Sequence, residues 1–118
     1  MDTPRKMVKL NINTFDGVIV KNDENYLVKD NTKLKNLVVS STLLHPFRKT
    51  RGHSHEGQEE VYYFTHGSGK MIIDEQEFNV SAGDMVLIED NEYHRVLNDT
   101  ADYLQFFCVF NGNRKNSS

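Results

Sequence analysis

The sequence predicts an all-β domain, a barrel or a sandwich, on three observations. Short runs rich in β-branched and apolar residues recur along the chain. Gly, Asn, Asp and Ser stand between those runs, where turns need them. No stretch of a dozen residues carries an apolar stripe at the helical period.

The elements follow in order. Met7-Val8-Lys9-Leu10-Asn11-Ile12 alternates apolar and polar residues, as a strand with one buried face does. Residues 20–36 are strongly polar, with Lys21–Asn25 as a loop or hairpin tip. Strands are then expected over 37–44, 61–65, 70–73, 78–80, 85–88 and 103–110. Turns at 66–69, 74–75, 81–84 and 98–100 separate several of them. In the last strand Leu104, Phe106, Cys108 and Phe110 form one face, and Tyr103, Gln105, Phe107 and Val109 the other. Both faces are mostly apolar, so burial of both is expected. Residues 111–118 are polar without an apolar anchor and read as a flexible tail.

A chain of 118 residues is one domain's worth, with its core expected at 37–110. The net charge of -3 comes from 14 basic and 17 acidic residues scattered among one another. No basic stripe for nucleic acid results. The apolar runs are too short to span a bilayer, and the N-terminus lacks the apolar stretch of a signal peptide. The single cysteine, Cys108, forms no internal disulfide, which fits a reducing cytoplasm.

Chemistry concentrates in the histidines. Of the five, His53 and His55 form a His-x-His pair. On a strand they would project to one side, and two convergent imidazoles are half of a transition-metal site. Glu60 follows five residues later and opens the apolar run Val61-Tyr62-Tyr63-Phe64, offering an oxygen ligand to the same side. Gly67 and Gly69 then turn the chain, and Gly83, His94 and Asn98 lie beyond. His45 and His66 read as surface residues, and Asn98 as a structural group bonding turn backbone.

The stretch from His53 to Gly67 resembles the first motif of the cupins: His-x-His, four residues, Glu, six residues, Gly. Gly83 to Asn98 resembles the second: Gly, five residues, Pro-x-Gly, two residues, His, three residues, Asn. Glu89 and Asn91 replace the Pro and Gly of that second motif, and Asn tolerates the left-handed conformation a turn needs. Phe47 stands where a glycine is expected six residues before the first His. The resemblance covers roughly 37–110. It implies a single cupin domain over 1–118, folded as a double-stranded β-helix, the cupin jelly-roll barrel. It also implies a metal held by His53, His55, Glu60 and His94. Glu60 is preferred to Glu59 because it lies at the motif's spacing from Gly67 and alternates with Tyr62 and Phe64. Mn, Fe, Ni, Co and Zn all suit such a donor set.

Three functions fit these residues. Thr50-Arg51-Gly52-His53-Ser54-His55 with Glu60-x-Tyr62 is similar to the signature of cupin-type glucose-6-phosphate isomerases. That similarity implies a sugar or sugar-phosphate isomerase with metal-assisted enediolate chemistry, in which Glu60 and Tyr62 act catalytically. Arg48, Thr50, Arg51 and Gly52 would meet an anionic substrate, and Phe64, Phe106 and Cys108 would line its cavity. An Fe(II)-dependent dioxygenase would use the same ligands with the aromatic wall. A non-enzymatic small-ligand-binding cupin is the third reading. In each case the partner is a small molecule. A homodimer is expected, with 7–12 as an edge strand that pairing would protect.

Overall fold

The computed structural model describes residues 6–112. These form nine strands: β1 (Val18–Asn22), β2 (Tyr26–Asn31), β3 (Leu37–Leu44), β4 (Glu60–His66), β5 (Ser68–Ile73), β6 (Gln76–Ser81), β7 (Met85–Ile88), β8 (His94–Leu97) and β9 (Leu104–Asn111). No helix of the described residues is long and apolar enough to cross a membrane.

Two antiparallel sheets make up the double-stranded β-helix. The larger has the order β1-β2-β3-β9-β4-β7 and the smaller β6-β5-β8. Strand β9 sits centrally, pairing with β3 on one side and β4 on the other. Its Leu104, Phe106 and Cys108 are buried on the inner face. On β4 the inner residues are Glu60, Tyr62 and Phe64. Met71, Val80, Val96 and Ile88 join these side chains in one core cluster. Phe64 and Leu104 are wholly enclosed, and burying each contributes about 1.5–3 kcal/mol.

Strands β3 and β7 have the bounds expected from sequence, and β4, β5, β6 and β9 lie close to theirs. Three differences matter. The large sheet begins at Val18, well before the expected core at 37, because residues 18–31 form a hairpin on β3. Its tip is an Asx turn, where the Asp23 carboxylate accepts the N–H groups of Asn25 and Tyr26 at 2.8 and 3.1 Å. Strand β8 was not foreseen. Residues 7–12 are not a strand. Leu10 and Ile12 instead border an apolar hollow on the outer face, above Val61, Tyr63 and Phe107. Phe15 packs there on Phe107, ring centres 5.4 Å apart, which explains why both faces of β9 bury apolar residues. Of the expected tail, Asn111 belongs to β9, and residues 113–118 lie outside the described residues.

Asn98 locks the chain between β8 and β9. It is 2 % exposed. Its amide donates to the carbonyl oxygens of Leu44, His45 and Asp102, and its own carbonyl accepts from Thr100. Asn98→Ala is expected to lower stability by about 2–3 kcal/mol, and Asn98→Asp by more, since it would turn an oxygen toward three carbonyls. Urea denaturation with a fixed slope measures both.

Phe47 has a φ of 60°, and its side chain is exposed. A left-handed non-glycine residue costs about 1–2 kcal/mol, and glycine gives back part of that gain in the unfolded chain. Phe47→Gly is therefore expected to stabilise the fold by on the order of 0.5 kcal/mol. A lower denaturation midpoint in that variant would contradict the strain.

Candidate metal centre

Four potential ligands reach one point from three parts of the chain. His53 and His55 lie between β3 and β4, Glu60 opens β4, and His94 opens β8. The 53–55 segment is not a strand, so simple alternation does not explain the His pair. Its backbone is pinned instead. His53 N–H donates to His94 O at 3.3 Å, and His94 N–H donates to His53 O at 3.0 Å. Two residues on, the His55 carbonyl accepts from Gln58 N–H at 3.3 Å and Asn91 N–H at 3.1 Å. The turn between them closes when Gly57 N–H meets the Asp90 carboxylate.

Donor atoms of His53, His55 and His94 all lie within 4.8 Å of one another. Glu60 lies against the group, with Oε2 3.0 Å from His94 Nε2 and Oε1 3.9 Å from His55 Nε2. His55, Glu60 and His94 are buried, and His53 is partly open. His94 is oriented by Nδ1–H donation to Glu92 O at 2.9 Å, which points Nε2 at Glu60. Burial holds the His94 imidazole below its usual range, in the neutral form a metal needs. With Nδ1 carrying the proton, the Nε2 lone pair faces the Glu60 carboxyl group. The three imidazoles could hold one divalent transition-metal ion.

A cavity of about 470 Å³ opens beside this cluster. His53, Glu60, Tyr62 and His94 form one part of its wall. Tyr62 packs edge-on to His94 and stacks on Phe106, ring centres 5.7 and 5.3 Å apart. Burial, and then the neighbouring Cys108, hold the Tyr62 phenol well above its ordinary value. Burial pushes the Cys108 thiol up to about 12, although it accepts a hydrogen bond from Tyr62. Both groups thus stay protonated at neutral pH.

Other sequence-predicted residues are distributed unevenly. Thr50, Arg51, Phe106 and Cys108 line the cavity. The Thr50 hydroxyl accepts Val96 N–H at 3.0 Å. Gly52 lies under Tyr93, whose ring occupies the space a Cβ would need. Arg48 does not reach this cavity. It borders a separate depression with Phe47 and Asn98, its guanidinium 4.0 Å from Glu24. Phe64 does not reach it either, being sealed in the core. His66 is not a simple loop residue; it ends β4, pairs with Asp102 at 2.9 Å and stacks on Tyr103. Sequence reasoning missed Lys21, Tyr26 and Asp30 of the first hairpin, and Ser40 and Thr42 of β3, all of which line the cavity. Alternation would have found Ser40 and Thr42 within the expected β3, and Tyr26 and Asp30 once β2 was known, whereas Lys21 follows a register irregularity after Ile19.

The family model for the cupin domain matches residues 42–110, more than half of the chain. The chain belongs to the cupin family. An uncharacterised protein of Methanocaldococcus jannaschii is 35% identical over 60 residues, 51% of this cupin and 48% of that protein. The chain thus spans about half the length of the curated relative it matches. Among solved structures, the polyketide cyclase RemF of Streptomyces resistomycificus superposes with a TM-score of 0.76 at 16% identity, over 92% of this chain and 82% of that one. A predicted oxalate decarboxylase of Thermotoga maritima gives 0.68 at 23% identity, over 73% and 79%. At such identities the likeness is one of fold.

The raised Cys108 value has a measurable consequence. At pH 8 it lowers the thiolate fraction by roughly a thousandfold, and only thiolate reacts. Iodoacetamide at pH 8 is expected to alkylate Cys108 at least about a hundredfold more slowly in the native protein than in urea. The contribution of the buried thiol to stability is complete below its unfolded value, about 8.5, and is lost as pH climbs toward about 12.

Proposed function

We propose that this cupin is a metal-dependent enzyme acting on a small, hydroxyl-rich, anionic molecule, best described as a sugar or sugar-phosphate isomerase. The observation that carries the reading is one cavity whose wall joins His53, His94 and Glu60 to hydroxyl groups and two cations. Thr50, Ser40 and Thr42 supply hydroxyls, and Arg51 and Lys21 the positive charge.

A divalent ion held by His53, His55, Glu60 and His94 would supply Lewis-acid polarisation of a carbonyl or hydroxyl oxygen. The chain's own groups would do the rest. Arg51 binds the anionic group of the substrate. Tyr62, kept protonated, turns its O–H from Cys108 to the substrate oxygen on which charge develops. Glu60 accepts the carbon-bound proton at a carboxylate oxygen and returns it to the neighbouring carbon, while the hydroxyl proton passes to the former carbonyl oxygen. The fold neighbours include proteins named as a cyclase and a predicted decarboxylase, which supports an enzyme. The reading includes a homodimer in the cytoplasm.

An Fe(II)-dependent dioxygenase is the second reading, and the stacked Tyr62 and Phe106 in the cavity wall favour it.

Purified protein is expected to carry about one transition-metal ion per chain by plasma mass spectrometry, and His94→Ala to lose it, with metal affinity down by about a hundredfold or more. Incubated with aldose and ketose phosphates in D2O, the enzyme is expected to place solvent deuterium at the carbon next to the carbonyl, read by NMR. Arg51→Ala should raise KM about tenfold with kcat little changed. Oxygen consumption without deuterium exchange would replace the isomerase by the dioxygenase. Metal uptake with neither activity would leave a ligand-binding cupin.

A further inference from the structure

The first hairpin lies outside the matched cupin region, yet it forms a wall of the cavity. Its β2 strand turns Val28 and Asp30 inward, while Lys29 and Asn31 face away. Cross-strand pairing then sets a row of side chains: Asp30 opposite Ser40, Ser40 opposite Cys108, and Cys108 opposite Tyr62. Asp30 and Tyr62 are three strand spacings apart, about 14 Å along the curved sheet. The row therefore begins far from the metal ligands and ends beside them.

Asp30 is unusual in that wall. Its Oδ1 is buried, and no hydrogen-bond donor among the described residues reaches it. Lys21 borders the same cavity but leans on Tyr26, with Nζ 3.4 Å from the phenol oxygen, and forms no ion pair with Asp30. A carboxylate set in a wall without a donor weakens the fold unless something outside the chain supplies one. Arg51, Lys21 and a divalent ion would repel a cationic ligand from this cavity. A neutral hydroxyl is the donor that fits the charge.

We infer that Asp30 is a recognition carboxylate that accepts hydrogen bonds from the hydroxyls of a polyhydroxylated carboxylate or phosphate, at the end of the cavity away from the metal ligands. The inference rests on the proposed hydroxyl-rich substrate and adds the group that selects it. Ser40, next in the row, stands beside the same hydroxyls.

Calorimetric titration of the full chain, loaded with Zn²⁺, tests this with two six-carbon carboxylates: gluconate, which carries hydroxyls, and hexanoate, which carries none. The wild type is expected to prefer gluconate by at least about tenfold. Asp30→Leu is expected to cut that preference to under about threefold by weakening gluconate binding, with metal content unchanged. It should also raise the unliganded Tm by about 4 °C, since the unsatisfied carboxylate is gone. If Asp30→Leu does not fold, Asp30→Asn must lower the preference by at least about threefold. Equal binding of the two acids, binding of neither, a preference that survives the substitution, or a fall in Tm overturns the inference. Loss of the preference in the variant of a chain that takes up no metal would support Asp30 while sinking the metalloenzyme reading.

Discussion

Burying a carboxylate and three imidazoles at one point is the constraint on which the rest of this structure depends. Such groups are costly in a dry interior unless a cation or hydrogen bonds compensate them. They must also come from segments distant in sequence, 53–55, 60 and 94. The fold meets this with two sheets that place Glu60 and His94 at strand starts. The two backbone bonds between His53 and His94 then tie the intervening loop to the small sheet. The isolated bridge does there what ladder pairing does elsewhere.

How far the sequence was legible depended on what each strand faced. The inner faces of β4 and β9 were readable because Tyr62, Phe64, Leu104 and Phe106 pack on apolar neighbours. The motif spacing likewise marked the four residues that converge. Strands β1 and β2 escaped because their inward residues Lys21, Tyr26 and Asp30 line a polar cavity, which erases the apolar alternation that reveals a strand. Residues 7–12 failed in the opposite way: they alternate, but no neighbouring strand takes their backbone hydrogen bonds. Alternation also gave the face of Phe64 without its depth, since Tyr62 and Phe106 close the cavity above it. His66 is at the surface as expected, but its partners Asp102 and Tyr103 were not legible because they are more than thirty residues away.

The cavity thus has two origins. Its histidine-lined end comes from the motifs that place the chain among the cupins, and those motifs recur in proteins with unrelated chemistries. Its other wall comes from a hairpin the family match does not include. Selectivity on such a fold is expected from the wall rather than from the ligands, because any metal-binding oxygen compound satisfies the ligands alone. Lys21, Asp30 and Arg51 carry the charges that distinguish this cavity from an apolar one.

The departures from the family pattern show which parts of a motif are chemical and which conformational. Phe47 and Asn91 occupy two positions where glycine is expected, and both adopt the left-handed conformation, φ 60° and 62°. Their side chains point to solvent, so the backbone keeps its path and the site is undisturbed. Gly67 has the same kind of conformation, but a Cβ there would collide with the Tyr103 carbonyl oxygen. A positive φ alone therefore does not make a motif glycine indispensable. The space on its Cβ side decides, and that space is set by a strand about forty residues farther along the chain.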